Sequence, residues 1–435
     1  MEKNSENEMS LREIRRRRRV RNQIITYIVS GLVLLVIAAG LFFGGRKALA
    51  YFTPVLEPVE EVVQEEPMVV ETPVVEEPVE EEVIPEADLL DELIDSYLID
   101  MTLEQKVAGL FIVTPESITD VSTAVKAGEG TKAALEKYPV GGMIYSTKNI
   151  VSEAQLKEML ENTSMFCRFP MFLAVDEEGG SVARVASSSL NVAQVESMGE
   201  IGATNDVANA ATAGTTIGEY LSFYGFNVDF APVADVLTNP DSAIGDRSFG
   251  ADPAMSASMV STFVESIQNT SVSACLKHFP GLGDADGDSH ELLISTDKTI
   301  EELRTTEFLP FISGIEAGVD FIMMGHISVP AVIGDDTPAS LSKIMVTDVL
   351  RTELGYDGIV ITDAMNMGAI TETYDSGEAA VMALNAGVDM ILMPEDFEVA
   401  YQGVLDAVAS GTLTKERIDE ALHRIYRVKY KDSLE

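Results

Sequence analysis

Residues 273–290 read SACLKHFPGLGDADGDSH. The first four residues have the character of a buried strand. The chain then passes without a spacer into Lys277 and His278, and on into a Gly-rich loop with Asp284, Asp286, Asp288 and His290. Two of the chain's four histidines fall in this one stretch. A buried strand that ends on charged groups is what an α/β barrel requires, because its chemistry collects at the carboxyl ends of the strands.

The pattern repeats along the chain. Short β-rich runs read FIVTP, GGMIYS, MFLAVDEEG, VDFAPVADV, SACLKHFPG, FIMMGHI, GIVITDAM and DMILMPE. Between them lie helical patterns, among them ATNDVANAATAGTTIGEYLSFYG, MSASMVSTFVESIQN, TIEELRTTEFLPFISGIEAG, LSKIMVTDVLRTELG and SGEAAVMALNAG. Apolar strands alternating with amphipathic helices predict a parallel sheet with helices outside. Eight such units over roughly 340 residues predict an α/β fold of the TIM type, a (β/α)8 barrel. A doubly wound open sheet is the alternative, and no GxGxxG turn follows the first strand to favour it. Ahead of the first strand, LLDELIDSYLIDM and MTLEQKVAGLF predict helices, the second with Thr102 as N-cap and Gln105 completing a capping box.

The barrel is expected to occupy residues 88–435 of the 435-residue chain, and three different segments precede it. Residues 1–23 hold a dense basic cluster from Arg12 to Arg21. Residues 24–43, IITYIVSGLVLLVIAAGLFF, are uncharged and long enough for a membrane-crossing helix, which needs about 20 residues. The arginines come first, so the N-terminus is expected in the cytoplasm and everything after Phe43 outside. Ala48-Leu49-Ala50 resembles a signal-peptide cleavage site, but the apolar run exceeds the roughly 7–15 residues of a signal core, so an uncleaved single-pass anchor is expected. Residues 44–87 form a linker, in which Phe52 to Glu86 repeats Pro, Glu and Val without a single Lys or Arg. Fully extended at about 3.1 Å per residue, that run reaches roughly 110 Å. The formal net charge of −41 excludes nucleic acid as a partner of the bulk of the chain. Two cysteines, Cys167 and Cys275, exclude a disulfide-built scaffold and read as small core residues.

Polar groups follow several of the strands: Asp176-Glu177-Glu178-Gly179-Gly180, Asp246-Arg247-Ser248, Lys277-His278, His326 and Asp363. Such convergence on one mouth is harder to explain by packing than any single residue. Taken singly, Asp363 reads equally as a helix N-cap, Arg247 as a surface ion pair and His326 as a core histidine. His423, in ALHRIYRVKY, reads as structural. Asp284, Asp286 and Asp288 do not form an EF-hand, whose Gly at position 6 and acid at position 12 are here Ser289 and Ser295.

KHFPG followed by a Gly/Asp-rich stretch and DSH resembles the signature of bacterial β-N-acetylglucosaminidases of glycoside hydrolase family 3. The resemblance runs from about Leu89 to Leu434. DEEGGSVAR at 176–184, IGDRSFG at 244–250 and VITDAMNMGAI at 360–370 resemble three further family segments, in the family's order. The chain departs from the pattern at Leu282, where many members have histidine, and at Ser181, often arginine.

The resemblance implies a retaining exo-glycosidase with Asp363 as nucleophile. In most members the acid comes from outside the barrel, so the proton donor here is expected on a barrel loop. His290 suits that role, with Asp288 orienting its ring from position i−2 of an extended loop. Asp176, Arg184 and Arg247 match family positions that clamp the sugar, and Lys277 and His278 are placed to bond its hydroxyls. The expected partner is a glycan with terminal β-linked N-acetylglucosamine, from peptidoglycan fragments or related glycans, with the membrane held through the N-terminal helix. No cofactor and no metal are expected. Three alternatives stay open. A histidine acid/base, neutral once it has given its proton, permits phosphorolysis as well as hydrolysis. His278, His290 and His326 are enough histidines for a zinc hydrolase. A non-catalytic sugar-binding membrane sensor is the third.

Overall fold

The computed structural model describes residues 86–431. The basic segment 1–23, the predicted span 24–43 and the linker up to residue 85 lie outside the described residues. Among those described, no helix is long and apolar enough to cross a membrane. A helix at Glu86–Asp100 takes the last two residues assigned above to the linker.

Eight strands fall inside the eight predicted runs: Phe111–Val113 (β1), Gly142–Ile144 (β2), Phe172–Val175 (β3), Val228–Asp229 (β4), Ser273–Phe279 (β5), Phe321–Met324 (β6), Ile359–Thr362 (β7) and Ile391–Leu392 (β8). Each pairs in parallel with its sequence neighbours from β1 to β7, and β8 pairs with β1. A parallel bridge between Ile361 and Met390 brings β7 to β8. The sheet therefore meets itself in a TIM-type barrel and leaves no open edge. The strands are apolar almost throughout because both faces are covered, the inner by opposing strands and the outer by helices. At the amino-terminal end, Phe172 and Phe321, the first residues of β3 and β6, meet edge-on with centroids 5.0 Å apart. Lys429 of the last helix lies 4.7 Å from the Phe172 ring and donates to the Gly141 carbonyl at 3.0 Å.

The capping box at Thr102 forms as predicted: its hydroxyl accepts from the Gln105 N–H at 3.3 Å, and the Gln105 side chain accepts from the Thr102 N–H at 3.1 Å. Two predicted helices differ. TIEELRTTEFLPFISGIEAG is two helices, Ile300–Thr305 and Phe308–Glu316. At the break Glu307 is buried and pairs with Lys298, a contact that a continuous amphipathic pattern conceals. ATNDVANAATAGTTIGEYLSFYG starts its long helix only at Val207, capped by Asp206, because Asn205 has a left-handed backbone with φ 58°.

Candidate active site

Three side chains open the site from strand ends. β7 runs into Asp363, whose Oδ1 accepts the Ala364 N–H at 2.7 Å. Burial alone would raise the Asp363 carboxyl, but the His278 and His326 rings and the Ala364 N–H outweigh it and hold the group below its ordinary value. Two strands away, β5 carries Lys277 and His278. Consecutive strand residues normally face opposite sides. Here the register against β6 shifts between Lys277 and Phe279, and both side chains reach the same cavity. The His278 Nε2 lies 3.9 Å from Asp363 Oδ2.

After β3 the chain folds back as a hairpin, Glu177–Gly179 against Val182–Ala183, that carries the DEEGGSVAR residues. Its turn uses Gly179 and Gly180 at φ 88° and 55°, and a Cβ on Gly180 would stand 2.8 Å from Ser197 Cα, so only glycine fits. The two adjacent glutamates split their work. Glu177 points away from the cavity and accepts the N–H groups of Val185 and Ala186, at 2.6 and 2.8 Å, and the Tyr220 hydroxyl at 2.8 Å. It thereby fixes the turn, just after Ala183, that presents Arg184 to the cavity. Glu178 faces the cavity, 2 % exposed, and takes Arg247 through two bonds of 2.8 Å and Lys277 at 2.6 Å. Burial would raise its carboxyl, but the Lys277 and Arg247 charges prevail and hold it at about 2. Lys277 also pairs with Asp176 at 2.8 Å. Arg247 and Lys277 are thus tied together through a residue the sequence reading did not single out, although it stands inside the quoted motif, and Asp176 joins them through Lys277.

His290 and Asp288 meet as expected, with Nδ1 2.7 Å from Asp288 Oδ1. The segment is a turn and not the extended loop predicted: the Asp288 side chain accepts the His290 N–H at 2.9 Å, and its carbonyl takes the N–H groups of Glu291 and Leu292. That N–H bond, with the ring, holds the Asp288 carboxyl below its ordinary value. The turn rests on the loop after β7, where the Gly368 N–H donates to the His290 carbonyl at 3.0 Å. A Cβ on Gly368 would stand 2.3 Å from the Glu291 carbonyl oxygen, so glycine permits this docking. The other two aspartates of the loop serve elsewhere, Asp284 with Thr296 and Lys298, Asp286 with Asn239.

All of the predicted residues except Asp288 line one cavity of about 300 Å³, and Asp288 reaches it through His290. One wall is charged; Met323, Met367, Met393 and Leu392 form part of the rest, and Asn366 stands near Asp363. Larger hollows of about 790 and 560 Å³ lie around Tyr138 and Glu398 and contain none of the predicted residues. His326 does not line the cavity. It is buried, with Nδ1 2.8 Å from Ser340 Oγ and Nε2 3.1 Å from the Ala364 carbonyl. Burial holds its ring below the ordinary value, and it stands as a prop behind Asp363. Asp235, hidden in the apolar run VDFAPVADV, also escaped the sequence reading. Its Oδ2 lies 2.8 Å from His278 Nδ1. Leu282 is buried behind this group, with its N–H on Asp235 Oδ1 at 2.6 Å.

The strand ends of this barrel gather a carboxylate, a histidine–aspartate pair and several charged side chains around one cavity. The chain belongs to glycosyl hydrolase family 3, whose N-terminal domain matches residues 102–428. It is 32 % identical over 330 residues to the β-hexosaminidase A of Pseudoalteromonas piscicida, covering 68 % of this chain and 54 % of that protein. It is 34 % identical over 282 residues to a β-hexosaminidase of Idiomarina loihiensis, covering 65 % of this chain and 84 % of that one. The family 3 β-N-acetylglucosaminidase of Paenibacillus sp. str. FPU-7 superimposes with a TM-score of 0.73 at 34 % identity, over 77 % of this chain and 63 % of that one. The chain therefore spans about half of the first of these proteins and under two thirds of the last.

Proposed function

We propose that this chain is a retaining exo-β-N-acetylglucosaminidase that acts outside the cell. The observation that carries the reading is that Asp363 and the His290–Asp288 pair open on one small cavity whose charged wall is already tied together. Asp363, ionised, attacks the anomeric carbon while His290 protonates the departing oxygen. Water then releases the sugar from the glycosyl-enzyme, with His290 taking its proton. Asp288 orients the ring and supports its charge. Asp176, Arg184, Arg247, Lys277 and His278 bind the hydroxyls, and the ion pairs that tie Arg247 and Lys277 to Glu178 and Lys277 to Asp176 keep those three placed before the sugar arrives. A cavity of about 300 Å³ suits one terminal ring better than a run of sugars. The β-hexosaminidase relatives support N-acetylglucosamine as that ring.

The N-terminal anchor and acidic linker, as read from the sequence, place the barrel outside the membrane and off its surface, which suits peptidoglycan fragments as substrate. Hydrolysis is preferred over phosphorolysis, because an external enzyme would lose the sugar phosphate. The zinc alternative loses its third ligand, since both ring nitrogens of His326 are engaged behind the cavity. The test is turnover of a chromogenic N-acetylglucosaminide with EDTA present, alongside Asp363→Asn. Activity that survives EDTA and vanishes in a folded Asp363→Asn protein supports the reading. Loss with EDTA, or normal turnover by the variant, overturns it.

A further inference from the structure

We infer that Asp235 is a positioning residue that fixes which nitrogen of the His278 ring carries the proton and ties that ring to the root of the loop bearing His290. The kinetic part rests on the function proposed above; the geometric part does not. Asp235 is 1 % exposed and never reaches the cavity. Its two oxygens divide between two tasks. Oδ2 faces His278 Nδ1 at 2.8 Å. Oδ1 accepts the Leu282 N–H at 2.6 Å and the His278 N–H at 3.3 Å. Among the described residues no lysine or arginine pairs with it, and the His278 ring is the one side chain of a basic residue that it meets. An ionised carboxylate only accepts, so Nδ1 must carry hydrogen. Nε2 is then the nitrogen turned to the cavity, 3.9 Å from Asp363 Oδ2. There it accepts from a sugar hydroxyl when the ring is neutral and donates when the ring is charged. The same carboxylate holds Leu282, eight residues before His290 in sequence, so one buried group sets both the ring beside Asp363 and the start of the opposite loop.

Asp235→Asn tests this without changing shape. The backbone N–H groups of Leu282 and His278 are fixed donors, so the amide oxygen stays with them. The amide NH2 then faces Nδ1, which must accept, and the proton moves to Nε2. Ring ¹⁵N spectra are expected to show hydrogen on Nδ1 of His278 in the natural protein and on Nε2 alone in the variant. kcat/KM for the chromogenic substrate should fall by about 10²-fold or more, since an isosteric swap at a carboxylate that orients a histidine costs up to about 10⁴-fold. In a His278→Ala background the same swap should cost less than about 2-fold, because its effect travels through the ring. Fully additive losses overturn the inference. So does a natural protein whose His278 ring carries hydrogen on Nε2 alone, a result that stands even if the variant does not fold. Absence of turnover in the natural protein would count against the glycosidase reading and leave the ring spectrum to decide this one.

Discussion

Glu178→Gln removes one negative charge from between Arg247 and Lys277 and keeps the side chain's shape. The magnitude follows from the structure in two ways. Glu178 is 2 % exposed and serves two cations. Removing one partner of a buried pair costs about 3–5 kcal/mol, and Lys277 retains Asp176, which places the expectation at the low end. Separately, its carboxyl sits at about 2 against an ordinary 4.5. At 1.36 kcal/mol per pKa unit this is again about 3 kcal/mol. The sign is that of a depressed acid: the contribution is complete above pH 4.5 and is lost as pH falls through about 2. The chain has no tryptophan, so unfolding is best followed by circular dichroism. For a domain of about 350 residues, 3 kcal/mol lowers Tm by about 4 °C. At pH 6 the variant should therefore melt about 4 °C below the natural protein, with the gap narrowing towards pH 2. kcat/KM should fall about 10²-fold, because Arg247 keeps only one of its two anchoring bonds and meets an amide NH2 in place of the other acceptor. Equal Tm and equal kcat/KM at pH 6 would refute the reasoning, as would a stability gap that does not change with pH.

Three further expectations concern other parts of the chain. His290→Ala should slow cleavage of a sugar leaving group strongly and of an activated phenol much less, since the phenol leaves with little protonation; equal losses on both would make His290 structural. Lys429 is held at about 7 by burial and has no carboxylate partner among the described residues, so its stability contribution is least favourable below pH 7 and improves as pH rises towards 10.5. Lys429→Met should accordingly raise Tm at pH 6 and flatten the rise between pH 7 and 10, and a lower Tm at pH 6 would show that the Gly141 bond and the Phe172 contact outweigh the buried charge. A Glu-specific protease added to intact cells should release active barrel by cutting within 52–86, where trypsin finds no site; activity that stays protected until lysis would reverse the proposed topology.

The barrel was legible in the sequence because its signals are local. Each strand is a short apolar run, each helix has its own period, and caps such as Thr102 with Gln105 are written within four residues. The candidate site is legible where a polar group stands at the end of such a run, as Lys277, His278 and Asp363 do, or belongs to an ordered motif, as Asp176, Arg184, Arg247, Asp288 and His290 do. What the tertiary structure decided is which of these groups meet. Glu177 and Glu178 are chemically alike and adjacent, yet one props the hairpin and the other binds two cations, because the hairpin turns them to opposite sides. Asp235 looked like part of an apolar strand, and His326 looked as much like a ligand as His278 does. Their partners are Leu282, 47 residues from Asp235, and Ala364, 38 from His326. Periodicity fixes the direction of a side chain relative to its own strand, but barrel closure and the register shift after Lys277 determine what it faces. Burial of those charges then makes each contact obligatory, since a buried carboxylate without a partner is too costly to keep.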